Sequence, residues 1–203
     1  MGQDDQKTMN PVMLNIGCGL RKFDGYINVD AYPVCEPDVL WDLNKTPWPF
    51  DDCSVDHIYA NHVFEHLDCW MDALKECARI LKPAGTLQVN VPDHTSTASM
   101  GHIDHHHILS RFSFHMILEQ QRRGSNAWAI TQGVIPLAMT QYVRVPHEKY
   151  VRWWMPKRLL LWCCDHMVNF CFEQRFTFVR KENGNGKQVQ GREEEGQKIR
   201  AVA

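Results

Sequence analysis

The sequence predicts an α/β fold: a Rossmann-like, doubly wound, mostly parallel sheet with a shortened first crossover and an antiparallel C-terminal strand. Three observations carry this. Short apolar runs of strand length end at a glycine or an acid. A segment with apolar residues at steps of three and four lies between two of them. Strands that alternate with helices need crossover connections, which pair strands in parallel. The chain has 203 residues, 44% hydrophobic and 23% charged. That is enough for one domain with its own core, and the composition excludes a wholly disordered, collagen-like or coiled-coil chain.

Taken in order, Pro11 to Gly17 (PVMLNIG) reads as a strand buried on both faces and closed by a glycine. Tyr26 to Asp30 (YINVD) is a second run, Val55 to Ala60 (VDHIYA) a third, and Thr86 to Val91 (TLQVNV) a fourth, introduced by Pro83, Ala84 and Gly85. Between the last two, Trp70, Ala73, Leu74, Cys77, Ile80 and Leu81 mark one face of a helix over 70–81, with Asp68 available as its cap. Pro92 to Leu109 reads as a polar loop, followed by a helix capped by Ser110 or Ser113 that runs to about Arg123 and stops before Gly124. Ser125 to Met155 shows no sustained period and is assigned no structure. Pro156 fits the first turn of a helix through about Val168, and Phe172 to Arg180 alternates as a strand does.

The organisation expected is a flexible N-terminus over 1–10, one domain over 11–180, and a disordered tail over 181–203, where nine charges and no aromatic residue leave too little to bury. The domain divides by charge. Residues 1–93 carry 7 Lys+Arg against 15 Asp+Glu, and residues 94–203 carry 15 against 9. Segment 11–93 is therefore read as the cofactor-binding half and 94–180 as the half that meets a substrate, an anionic one fitting the positive balance. Eight cysteines without a CxxC pair fit reduced thiols and a cytoplasmic location. The polar first ten residues do not read as a secretory signal. Leu159 to Phe172 is interrupted by Asp165, His166 and Asn169 and is too short to span a bilayer.

In an open parallel sheet, ligands bind beyond the carboxyl ends of the strands, so the residues just after each strand matter most. Gly17-Cys18-Gly19 follows the first strand and lets backbone approach a ligand closely. Lys22 stands where a dinucleotide fingerprint needs its third glycine, and the chain has no Walker loop. Asp30 closes the second strand, where a carboxylate can take a ribose diol or cap a turn. Asp42 and Leu43 follow, an acid for an adenine amine and an apolar group for the ring.

These blocks, with Leu14-Asn15-Ile16, Pro47-Trp48-Pro49-Phe50-Asp51-Asp52, Asn61-His62-Val63-Phe64-Glu65-His66-Leu67 and Arg79-Ile80-Leu81-Lys82-Pro83-Ala84-Gly85, resemble the class I S-adenosylmethionine-dependent methyltransferases, in their small type 11-like bacterial branch. The resemblance covers about residues 11–120. It implies S-adenosyl-L-methionine as cofactor, with Gly17, Cys18 and Gly19 under its methionine part, Asp30 on the ribose hydroxyls, Asp42 on the adenine amine, Leu43 on the ring face, and Asn61 with His62 beside the sulfonium. Asn15 stands where many relatives carry an acid that contacts the cofactor's ammonium group indirectly. Only ten residues separate Gly19 from Asp30, so the first crossover helix is reduced to a turn or missing.

The implied activity is methyl transfer to a small-molecule or saccharide-like acceptor; the alternative is a cofactor-binding or partner-binding protein without turnover. His62, His105 and His107 are the candidate catalytic residues, since an imidazole titrates near neutral pH. No metal site is predicted, because contiguous histidines in Gly101-His102-Ile103-Asp104-His105-His106-His107 point in different directions. No nucleic-acid-binding module is read. Trp153-Trp154 with the neighbouring Arg and Lys residues leaves peripheral membrane contact as a minor expectation.

Overall fold

The computed structural model describes residues 10–123 and 134–182. The expected flexible N-terminus, except Asn10, and the expected tail, except Lys181 and Glu182, lie outside the described residues. Among those described, seven strands form one sheet: β1 (Met13–Ile16), β2 (Ile27–Asp30), β3 (Val39–Leu40), β4 (Val55–Asn61), β5 (Leu81–Pro92), β6 (Leu137–Pro146) and β7 (Cys171–Arg180). Their order is β3-β2-β1-β4-β5-β7-β6. β1 to β5 pair in parallel, and β7 runs antiparallel between β5 and β6. The winding reverses between β1 and β4, which puts the ligand-binding crevice of such a sheet at the carboxyl ends of these two strands.

Because side chains alternate across a strand, the register sorts the sheet into two unlike faces. Leu14, Ile16, Val29, Ile58, Ala60, Leu87, Val89, Phe176 and Phe178 share one face and are fully buried. Helices α1 (Trp70–Ile80) and α3 (Arg111–Arg123) supply the apolar groups that cover it. Phe114 of α3 sits at the centre, with its ring 5.2 Å from Trp70 and 4.6 Å from Phe176. Each buried Leu, Ile or Phe of this kind contributes roughly 1.5–3 kcal/mol. The opposite face carries Asn15, Asn28, Tyr59, Asn61, Gln88, Asn90, Arg175 and Thr177 in adjacent register. Its side chains bond to one another: Asn90 Nδ2 donates to Asn61 Oδ1 at 3.0 Å and to the Tyr59 hydroxyl at 3.1 Å.

The first crossover has no helix. Residues 17–26 form successive turns, and the backbone groups that a helix would satisfy are satisfied by two asparagines. Asn28 Oδ1 accepts from Phe23 N at 2.9 Å and from Asn15 Nδ2 at 2.9 Å, while Asn15 Nδ2 also donates to the Arg21 carbonyl. The second crossover is a single 3-10 turn, Pro33–Cys35. The loop from β3 to β4 is tied to α1 instead. Trp48 N donates to Glu76 Oε2, and the Arg79 guanidinium donates to the carbonyls of Trp48 and Phe50.

Three local expectations change. Cys69, not Asp68, is the N-cap of α1, and its side chain makes no capping bond. The Pro92 to Leu109 loop contains a short helix, α2 (Thr97–Gly101), capped by Ser96 Oγ accepting from Ser99 N at 3.1 Å. The unassigned stretch contributes β6 at the sheet edge, followed by α4 (Lys157–His166), in which Pro156 is the extended N-cap rather than part of the first turn and which ends two residues short of Val168. All eight cysteines are free thiols. Among the described residues, no helix is long and apolar enough to cross a membrane.

One buried ion pair fastens the 147–170 segment to the sheet. Arg144 of β6 donates from Nε to Asp93 Oδ2 at 2.7 Å and from Nη2 to Oδ1 at 2.8 Å, and its Nη1 donates to the Cys164 carbonyl of α4. Asp93 has no exposed surface. Although burial opposes its charge, the guanidinium and the Thr95 donors hold its carboxyl below the ordinary value. Asp93→Asn leaves Arg144 buried without its counter-charge, so a loss of about 3–5 kcal/mol in unfolding free energy is expected by denaturant titration. In the wild type this pair stabilises fully above the unfolded carboxylate's pKa, near pH 4, and less as pH falls through the lower folded value. The acid side of the stability profile should therefore be flatter in Asp93→Asn than in the wild type.

Candidate functional site

The turn after β1 and the end of β2 are joined by a direct bond. Gly19 N donates to Asp30 Oδ2 at 2.8 Å, and Tyr32 N donates to Oδ1 at 3.0 Å. Each carboxylate oxygen keeps a lone pair beyond the one so used, so Asp30 can still receive a pair of hydroxyl donors. Gly17 and Gly19 both have left-handed backbone, with φ of 60° and 51°. A Cβ on Gly17 would lie 2.4 Å from Val63 Cγ2, whereas one on Gly19 would meet nothing within 4 Å. Gly17 is thus demanded by the protein's own packing, and the space above Gly19 is open to a ligand. Cys18 is buried between them, its N donating to the Val29 carbonyl at 3.1 Å. Burial, with the Asp30 charge second, pushes its thiol pKa up.

The other residues expected at the cofactor divide into two groups. Asp42 follows β3 with Oδ1 accepting from Asn44 N at 3.0 Å, and Leu43 is buried with its carbonyl held by Trp48 Nε1. Both stand at the carboxyl edge of the sheet near Asp30, whose carbonyl accepts from Trp41 N at 2.8 Å. Asn15 and Asn61 are placed differently. Asn15 commits its amide hydrogens to Arg21 and Asn28, and Asn61 Oδ1 accepts from Tyr59 and Asn90. These bonds tie the ends of β1 and β4 to their neighbours.

His62 follows β4 with φ of 56°, a conformation that a non-glycine residue holds only when its surroundings impose it. Here Nδ1 faces Glu65 Oε1 at 3.1 Å and Nε2 faces Glu173 Oε2 at 3.3 Å. Glu173 comes from β7 and also accepts from Arg175 Nε at 2.5 Å. The two carboxylates, Glu173 foremost, raise the imidazole pKa to about 9. With both ring nitrogens donating to carboxylates, His62 is a cation at neutral pH and is not poised to accept a proton there. Sequence reasoning named His62 as catalytic and missed Glu173, whose only signal was an acid inside the apolar terminal strand.

His105 and His107 separate. His105 Nδ1 faces the Ser99 carbonyl at 3.2 Å, and its ring lies 4.8 Å from His66 and 4.5 Å from His102. His107 Nε2 faces the Asp68 carbonyl at 3.2 Å. The loop that carries them is clamped to Glu65, whose carbonyl accepts from His106 N at 2.8 Å and His107 N at 3.2 Å. Beyond β5, a cavity of about 410 Å³ is lined by His94, Ser110, Arg111, Phe112, His115 and Tyr142. Arg111 lies over the Tyr142 ring, 5.7 Å from its centroid, and His94 Nδ1 is buried without a hydrogen-bond partner.

Residues 33–89 match the methyltransferase-domain family of type 11. No curated protein sequence matches the chain. Among solved structures, it is similar to a SAM-dependent methyltransferase from Archaeoglobus fulgidus at 17% identity, over 84% of this chain and 86% of that one, with a TM-score of 0.57. It is similar to the YcgJ protein of Bacillus subtilis at 15% identity, over 85% and 93%, with a TM-score of 0.51. A chain from the complex between the Haloferax volcanii Trm112 methyltransferase activator and a methyltransferase matches at 18% identity, over 85% and 84%, with a TM-score of 0.52.

Gly17→Ala combines a left-handed alanine, at about 1–2 kcal/mol, with the overlap at Val63. At about 2–4 °C per kcal/mol for a chain of this size, a thermal melt should fall by several degrees. Measured in a Val63→Ala background, itself destabilised by the lost core contact, the same glycine substitution should cost less, because the overlap is gone and only the backbone strain remains. An unchanged melting temperature in the single variant would contradict the packing described.

Proposed function

We propose that this chain is a class I S-adenosylmethionine-dependent methyltransferase that seats its cofactor between the glycine turn and Asp30 and methylates a small-molecule acceptor that is anionic or saccharide-like. The observation that carries the reading is the 2.8 Å bond from Gly19 N to Asp30. It brings the backbone that can approach a ligand and the acid that can take a diol to one point at the carboxyl ends of β1 and β2, next to the switch of strand order. The open space above Gly19 and the spare acceptor capacity of Asp30 suit the group.

The cofactor supplies a methyl group on a positively charged sulfur, an electrophile already activated, so the protein's task is to align donor and acceptor and to exclude water. In this reading Asp30 accepts from the ribose hydroxyls, Asp42 accepts from the adenine amine, and Leu43 lies against the ring. Cys18 and Gly19 present backbone to the methionine part. His62 and Asn61 close the far side at the end of β4, where the charge of His62 is balanced by Glu65 and Glu173.

The preference for a small, anionic or sugar-like acceptor rests on the second half of the chain. Its positive charge balance and the cavity beyond β5 favour such a molecule, because Arg111, His94 and His115 offer donors or positive charge and Phe112 and Tyr142 offer flat apolar faces. Acceptor choice is testable with a panel of carboxylated and glycosidic small molecules, read as formation of S-adenosylhomocysteine. Turnover confined to macromolecular acceptors would overturn it.

Calorimetry with S-adenosylmethionine and S-adenosylhomocysteine tests the cofactor site. Asp30→Asn keeps an oxygen for Gly19 N but removes the charge and half of the acceptor capacity, so affinity should fall at least about tenfold, or 1.4 kcal/mol. Asp30→Ala should fall further. Wild-type affinity in both variants, with circular dichroism unchanged, would remove Asp30 from the site.

A further inference from the structure

We propose that Glu65, His66 and His105 form a binding site for one divalent first-row metal ion, zinc fitting best, with a fourth coordination position open. The three side chains come from two loops that meet above the carboxyl ends of the strands. One ligand atom from each lies within 4.8 Å of the other two. Tetrahedral zinc with bonds of about 2.0–2.2 Å sets its ligands about 3.4 Å apart, so closure requires only small side-chain rotations.

Hydrogen bonding already prepares each group for coordination. His66 Nδ1 faces the Asp104 carbonyl at 2.9 Å, and His105 Nδ1 faces the Ser99 carbonyl at 3.2 Å. A carbonyl only accepts, so both imidazoles carry their proton on Nδ1 and present the Nε2 lone pair. This is how metal-binding histidines are fixed from behind. Glu65 is 1% exposed, and its Oε2 is buried with no hydrogen-bond partner. His62 pairs with only one oxygen of this carboxylate, and the other, buried without a partner, is costly to leave so and would be satisfied by a metal ion. The paired oxygen, Oε1, is held by His62 Nδ1 at 3.1 Å, which fixes the plane of the carboxylate.

The backbone keeps the two loops in register, since the Glu65 carbonyl accepts from His106 N and His107 N. The sequence expectation of no metal assumed that the histidine run would have to supply the ligands itself. Only His105 of that run is recruited, and Glu65-His66 completes the set. Two nitrogens, one carboxylate oxygen and a vacant position suit zinc, and the same donors exclude calcium or magnesium, which favour all-oxygen shells.

The test uses the full chain without an affinity tag, dialysed against a chelator and titrated with Zn²⁺ by calorimetry and with Co²⁺ by visible absorption. One equivalent should bind, and the cobalt spectrum should show the intense bands of four-coordinate geometry. His66→Ala and His105→Ala should each weaken binding by more than the roughly 10–100-fold that loss of an outer-shell partner causes. Glu65→Gln, which retains size and an acceptor for His62, should also weaken it, and circular dichroism with a thermal melt reports whether each variant is folded. His106→Ala should bind as the wild type does, because its ring faces Asp68. No binding by the wild type overturns the site, as does equal binding by folded His66→Ala and His105→Ala. Equal loss in His106→Ala and His105→Ala, showing capture by the whole histidine run, also overturns it. The readout needs no methyl transfer, so it stands or falls apart from the proposed reaction.

Discussion

The carboxyl edge of this sheet depends on a β1-to-β2 connection that has too few residues for a helix. A parallel pair joined in ten residues leaves turn backbone without the hydrogen bonds a helix supplies, and buried backbone groups must be paired. Asn28 and Asn15 meet this demand from the strands themselves, and Asp38 Oδ2 accepts from both the Asn28 backbone and its side chain, at 2.7 and 2.8 Å. The same contraction draws Gly19 against Asp30. What reads as a missing element therefore accompanies the direct bond between the glycine turn and the acid that closes β2.

A second consequence follows for the polar sheet face. Where a crossover helix would bring apolar side chains, Phe23 and Tyr26 pack on β4, with the Phe23 ring 5.3 Å from that of Tyr59 and the Tyr26 ring 6.0 Å from that of His57. A face so thinly covered cannot present leucine and valine to water, and β4, β5 and β7 accordingly place Tyr, Asn, Gln, Arg and Thr there. The side-chain network ends at His62, whose two carboxylate partners link the end of β4 to β7 and to the turn over 64–66. His62 acts through this charge balance, and the left-handed backbone that aims its ring is secured at the amide by the Asn90 carbonyl at 2.9 Å.

Much of this was legible in the sequence, for identifiable reasons. β1, β2, β4 and β5 announce themselves as apolar runs because their inner faces are fully buried, and α1 shows its period because it buries one stripe. The short crossover followed from counting residues between Gly19 and Asp30. β3 escaped because two residues carry no pattern. β6 escaped because it is an edge strand with a bulge between Met139 and Gln141 that breaks its alternation. The tasks of Asn15, Asn61 and Glu173 are set by neighbours on other strands, which local spacing does not reveal. His66 lies with its ring 4.8 Å from that of His105, which is far along the chain, a proximity that local spacing does not reveal either.

The unequal charge of the two halves becomes intelligible at the seam between them. β5 belongs to the acidic part and β7 to the basic part, and they pair antiparallel from Thr86–Val179 to Pro92–Glu173. Asp93, just past the end of β5, is bound by Arg144, and Arg180 donates to the carbonyls of Arg79 and Leu81 across the same boundary. Buried pairs add little net stability compared with apolar contacts of equal size, but breaking one is costly. Their effect is to penalise any arrangement in which the basic part of the sheet sits out of register with the acidic part. For the proposed methyl transfer, which demands alignment, this registration of the two parts is what the scaffold itself would contribute.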